Sequence, residues 1–125
     1  MADAPTTQGT TSTVRVLFCF GVLPAFFELE DATRKQVFDK LVEAYSDLAG
    51  RFGVKVLGTL DDDRSTVGPT FGWPWTCYIL ADAPDQASVT GVCNVLRQFS
   101  VGEHRIWRYI KVEARMGRAL FFGND

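Results

Sequence analysis

Seven consecutive residues, Val14-Arg15-Val16-Leu17-Phe18-Cys19-Phe20, restrict the fold of this chain more than any other stretch. They are β-branched and aromatic. Strand alternation puts Val14, Val16, Phe18 and Phe20 on one face and Arg15, Leu17 and Cys19 on the other. Both faces are largely apolar, so the segment belongs inside a sheet, with cover on each side. Gly21 and Pro24 end it.

The remaining elements must supply that cover. Residues 1–13 are rich in Thr, Ala and Ser and are expected to form a disordered tail. After strand one, Val37, Phe38, Leu41, Val42, Tyr45, Leu48 and Ala49 recur at helical spacing. Thr33 with Gln36 fits a capping box, Asp31 is an alternative cap, and Gly50 and Gly53 close the segment. Val54–Leu60 reads as strand two and Trp75–Ala81 as strand three, with Pro74 tolerated only because it stands at the strand's start. Pro84 opens a second helix whose buried stripe is Val89, Val92, Cys93, Leu96 and Phe99, with Gly91 marking close packing against the sheet. Arg105–Ala114 reads as strand four, with Ile106, Ile110 and Val112 on one face and Trp107, Tyr109, Lys111 and Glu113 on the other.

The order is β-α-β-β-α-β, an α+β ferredoxin-like plan with a four-stranded antiparallel sheet and two helices on one face. The domain is expected over residues 14–114, and residues 115–125 form a C-terminal tail whose Leu120, Phe121 and Phe122 would dock on a partner subunit. A strand four showing Trp107 and Tyr109 on the open sheet face would leave an aromatic surface too large for a monomer. A symmetric homodimer pairing two sheets, a dimeric α/β barrel, would cover it and enclose a cavity.

The chain's 125 residues suffice for one core, and ten phenylalanines exceed what a small core uses, which points to a ligand cavity or a subunit interface. A net charge of −2 argues against a nucleic-acid partner. Positive charge nonetheless crowds the last third, where Arg97, Arg105, Arg108, Lys111, Arg115 and Arg118 suit either a solvated surface or an anionic ligand. The three cysteines, Cys19, Cys77 and Cys93, lack a pairing framework and metal-ligand spacing, so they read as reduced buried thiols. With no apolar leader in residues 1–13 and no run long enough to span a bilayer, no membrane association and a cytoplasmic location are expected.

The stretch from Asp61 to Trp75 carries the chemistry-bearing residues. It joins a triple carboxylate to a Gly- and Pro-punctuated loop holding two of the three tryptophans, and a connection this long is usually functional. Asp62 or Asp63, next to Arg64, could serve as a base held ionised by that arginine, or the acids could simply cap the loop. His104, the only histidine, could act as acid or base at the mouth of strand four, or lie exposed in a loop. Trp73, Trp75, Tyr78, Trp107 and Tyr109 could stack on an aromatic ligand, Trp75 and Trp107 sharing one cavity, or else be core and interface aromatics. Arg108 or Arg105 could grip a carboxylate in two-pronged fashion. One histidine without helping cysteines cannot build a structural zinc site, so no metal is expected. Without a phosphate-binding glycine loop, a dinucleotide fingerprint or a nucleophile elbow, no cofactor is expected either.

The element order and apolar open sheet of residues 14–114 resemble the dimeric α/β-barrel superfamily, which includes cofactor-free monooxygenases acting on phenolic polyketides, muconolactone isomerase-like enzymes and haem-dependent members. Arg15–Cys19, Asp61–Asp63, Val67-Gly68-Pro69, Gly72–Trp75 with Tyr78–Asp82, Lys111–Arg115 and Gly117–Leu120 further resemble the IacB-like small proteins of bacterial indole-3-acetic-acid degradation operons. That resemblance implies a homodimer binding a small aromatic acid, as a cofactor-independent oxygenase or isomerase acting on an activated ring. The alternative is a non-catalytic ligand-binding or accessory subunit of such a pathway.

Overall fold

A computed structural model of the chain, describing residues 13–69 and 72–125, bears out the central first strand. β1 (Val14–Val22) pairs antiparallel with β3 (Cys77–Ala83) on one side and β6 (Ile110–Gly117) on the other, and β2 (Lys55–Asp61) adds to the far edge of β3. The sheet order β2-β3-β1-β6 is the ferredoxin-like arrangement of an α+β chain. Register fixes the two faces. Leu17 stands between Leu80 and Arg115, and Cys19 between Tyr78 and Glu113. Phe18 stands between Ile79 and Ala114 on the opposite face.

The helical layer covers the Val16/Phe18 face. Both residues are fully buried against Leu48, Val54, Val89 and Val92, and each such side chain contributes roughly 1.5–3 kcal/mol. These contacts come from α3 (Leu48–Phe52), the strand entry after it and α4 (Gln86–Asn94). A second cluster, Val37, Leu96, Ile106, Tyr109 and Ile110, lies under α2 (Asp31–Ala44), which follows a short α1 (Pro24–Phe27). Among the described residues no helix is long and apolar enough to cross a membrane.

Several local expectations are corrected. α2 starts at Asp31 after Glu30, which gives no side-chain cap, so the Thr33–Gln36 box does not form. Arg34 secures this end instead, its guanidinium donating to the carbonyls of Phe26, Phe27 and Leu29. The helix then breaks at Tyr45–Asp47, where Asp47 takes a left-handed conformation and its carboxylate accepts from the Gly50 amide to start α3. Phe38 and Val42 point outward, not into the core. Gly91 approaches the Phe52 ring of α3, where an added Cβ would lie 3.0 Å away, so its close neighbour is a helix and not the sheet.

Strand four differs most. Ser100–Val101 (β4) and His104–Arg105 (β5) form a two-residue hairpin, Ile106–Arg108 is a 3-10 turn, and the long strand β6 begins only at Ile110. Ile106 and Tyr109, three apart, turn together into the helix-side cluster, an arrangement that strand alternation cannot give. β6 also runs on to Gly117, so Arg115 to Gly117 belong to the sheet. The expectation for residues 1–12 lies outside the described residues.

Candidate functional site

The open sheet face holds the main hollow. Small and branched residues on neighbouring strands, Leu17, Gly58, Leu60 and Leu80, form its floor, and the β2–β3 connection rises over it through Val67, Pro69 and Trp73. The cavity measures about 710 Å³ and its wall is mostly apolar, with Asp62, Thr66 and Tyr78 supplying the polar groups. That size and chemistry match a small-molecule site.

The connection is anchored at both ends. The Asp62 amide donates to the Thr76 carbonyl at 2.9 Å, and the Thr76 amide donates to the Phe20 carbonyl at 2.9 Å. Pro74 then crosses closely over Gly21, where a Cβ would meet the Pro74 carbonyl oxygen at 2.7 Å, so only glycine fits under the crossing. Trp75, 8% exposed, packs there with the Lys111 ammonium 5.0 Å from its ring centroid.

Tyr78 is the hub of the polar end. Its hydroxyl accepts from Trp73 Nε1 at 2.5 Å, and it donates to Asp62 Oδ2 at 2.9 Å, with the Trp75 carbonyl 3.1 Å away as a competing acceptor. Lost hydration raises the Tyr78 phenol above its ordinary value; the Trp73 hydrogen bond opposes this and Asp62 adds to it. The phenol therefore stays protonated at neutral pH and hands its hydrogen bond to the carboxylate. Asp62, half-buried at the cavity wall, is the side chain there suited to accept a proton.

The expected site residues separate into two places. Trp73, Tyr78 and Asp62 meet at the cavity, with Trp75 buried beside them. Asp63 and Arg64 are exposed and do not line it, and among the described residues Arg64 makes no salt bridge, so Asp62 is held by Tyr78 and not by Arg64. His104, Arg108 and Tyr109 line a separate hollow at the β4–β5 hairpin. Trp107, 45% exposed, sits on the 3-10 turn with the Arg108 guanidinium 5.6 Å from its ring, and neither Trp75 nor Trp107 lines the open-face cavity. For Trp107 the cause is the turn at Ile106–Arg108, which removes these residues from the strand that would have carried them across the sheet.

His104 Nδ1 lies 2.9 Å from the Tyr109 hydroxyl, and the ring faces a hollow of about 360 Å³ lined by Glu103, Arg105 and Arg108. Among the described residues no three His, Cys, Asp or Glu side chains converge as a metal site would require.

Arg115 stood out in sequence only as one of the cations of the last third, not as a cavity residue. It stands beside Leu17 on the open face, its guanidinium against the Cys19 thiol and 2.8 Å from Glu113 Oε2. That contact lies off hydrogen-bond geometry and leaves the buried Oε2 without a hydrogen-bond partner, so it is a charge pairing only. Burial raises the Cys19 thiol, with Arg115 opposing and Glu113 adding, so Cys19 is no reactive thiolate. The signal was strand alternation: with Leu17 facing the cavity, its β6 neighbour had to share that face.

No family model matches the chain, and no curated protein matches it. The resemblance to indole-3-acetate operon proteins gains no support from these comparisons. One solved structure, that of a protein provisionally assigned as a chlorite dismutase, aligns with 85% of this chain at 19% identity and a TM-score of 0.48. The chain covers 44% of that protein, less than half its length, and the likeness carries no argument about activity.

Proposed function

We propose that this chain binds a small aromatic acid in the open-face cavity and, as a homodimer of the dimeric α/β-barrel kind, transfers a proton on its electron-rich ring. The observation that supports this reading is an apolar cavity of about 710 Å³ whose polar end is a carboxylate held by a protonated phenol. Trp73 offers a flat wall for the ring, and Arg115 supplies a cation beside the floor for the acid group. A second copy over the open face would close the hollow, since Leu60, Val67, Trp73 and Leu80 are exposed there.

Asp62 takes a proton from the bound ring, and Tyr78 steadies the carboxylate by donating to it. In an isomerisation the same proton returns to another ring atom and nothing else is consumed. In an oxygenation dioxygen is the co-reactant: one of its atoms becomes a ring carbonyl oxygen, and the hydrogen lost from that ring carbon leaves, together with the hydrogen lost from the ring's hydroxyl or N–H, with the other oxygen atom as water. Both fit the cofactor-independent reading, and indole-3-acetate-type acids remain the ligand class to try first.

A non-catalytic binding role is favoured by a different observation, the saturation of the Tyr78 hydroxyl by Trp73, Asp62 and Trp75, which makes it a structural pin. Turnover separates the two readings. Incubating the protein in air with indole- and phenol-type acids should give product, and Asp62→Asn should lower kcat by about 10²-fold or more with KM little changed. Saturable binding with unaltered ligand would establish the carrier role, and absence of both binding and product would overturn the proposal.

A further inference from the structure

We infer that the β4–β5 hairpin carries a second site, for a small ligand bearing two oxyanion groups. Gly102 has φ +58° at the first central position of the two-residue turn, which gives a rigid hairpin of the kind that follows strand twist. Its base is tied by the Ile106 amide donating to the Phe99 carbonyl at 3.2 Å. Two hollows adjoin on it. One, about 320 Å³, is lined by Arg97, Ser100, Glu103 and Arg105; the other, about 360 Å³, by Glu103, His104, Arg105 and Arg108.

Arg105 and Glu103 line both, so the hollows adjoin, and between them they are lined by three arginines and a single carboxylate. Among the described residues Arg97, Arg105 and Arg108 form no salt bridge, as is also true of Arg51, Lys55, Arg64, Lys111 and Arg118; what sets the three apart is that they line adjoining hollows on one hairpin. Like charges gathered about one hairpin favour an anion joining them, and each guanidinium offers a planar fork matched to phosphate or carboxylate. Arg108 is partly preorganised by stacking on Trp107. His104, its Nδ1 occupied by the Tyr109 hydroxyl, has no hydrogen bond at Nε2 among the described residues. Arg105 between two hollows suits a ligand with an anionic group on either side, such as a diphosphate or a polycarboxylate. Net charge of −2 over the whole chain disfavours a long polyanion and favours a small one.

The test is a ¹H–¹⁵N titration of the intact protein with pyrophosphate and, separately, with citrate. Saturable shifts confined to residues 97–109 are expected, with the tighter anion naming the ligand chemistry. Arg105→Gln should weaken binding at least tenfold, while Lys35→Gln, exposed on α2 and outside the hollows, should leave it unchanged. The site is overturned if neither anion saturates, or if Arg105→Gln binds as the parent does.

Discussion

Tyr78 shows how one hydroxyl can fix both the shape and the chemistry of a site. It links Trp73, Asp62 and the Trp75 carbonyl, so it pins the start and the end of the long connection to the same strand. Tyr78→Phe keeps the ring and removes the link, leaving two partners to seek water. The site is half exposed, so the expected loss is about 1 kcal/mol, read as a lower urea midpoint, with a change in tryptophan emission as Trp73 is released. Gly21→Ala acts at the other anchor. The Pro74 carbonyl would have to move, and overpacking of this sort costs about 1–3 kcal/mol; a midpoint equal to the parent's would show that the crossing is not tight. The choice among the three acids was only half legible in sequence. Adjacent residues cannot share one direction, but which of Asp61, Asp62 and Asp63 faces the cavity depends on the phase of β2, and a register shift between Val56 and Gly58 resets that phase.

At the scale of elements, the strands and helices protect their ionisable groups from water. Burial raises the thiols of Cys19, Cys77 and Cys93 above their ordinary 9.0 and the phenols of Tyr45 and Tyr78 above 10.0. A group whose folded value is raised binds its proton more tightly in the native state, so its contribution is complete below the unfolded value and is lost as pH climbs toward the folded one. Stability should therefore be level from pH 7 to about 9 and fall through pH 9–11. Urea midpoints across that range check it, and a level or rising profile would contradict the burial. β1, the sheet order and the helix-covered face were legible because apolar alternation and turn residues agree there. The end of the chain was not. The Ile106/Tyr109/Ile110 pattern satisfies both a strand and a turn, and only the helix-side cluster decides between them, by drawing Ile106 and Tyr109 to one side. The hairpin arginines were legible as partners for an anion but their grouping was not, since Arg97 reads as helical and Arg105 and Arg108 as one strand until the hairpin and turn set them about adjoining hollows.

Over the whole molecule, the helical layer satisfies one sheet face and leaves the other with Leu60, Val67, Trp73 and Leu80 in water, Val67 at 96% exposure. Closure by a second copy is the reading that explains this face, and it makes Leu60→Asp the informative change. Sedimentation should show a dimer for the parent and a dissociation constant at least tenfold higher for the variant, about 1.4 kcal/mol. The proposed aromatic ligand lies against Trp73, which lines the open-face cavity while Trp107 does not, and that difference makes its place measurable. Indole-3-acetate added to the parent protein should quench tryptophan emission saturably. The quench should be largely lost in Trp73→Phe and kept in Trp107→Phe. A quench that survives Trp73→Phe and vanishes in Trp107→Phe, or one that never saturates, would contradict it.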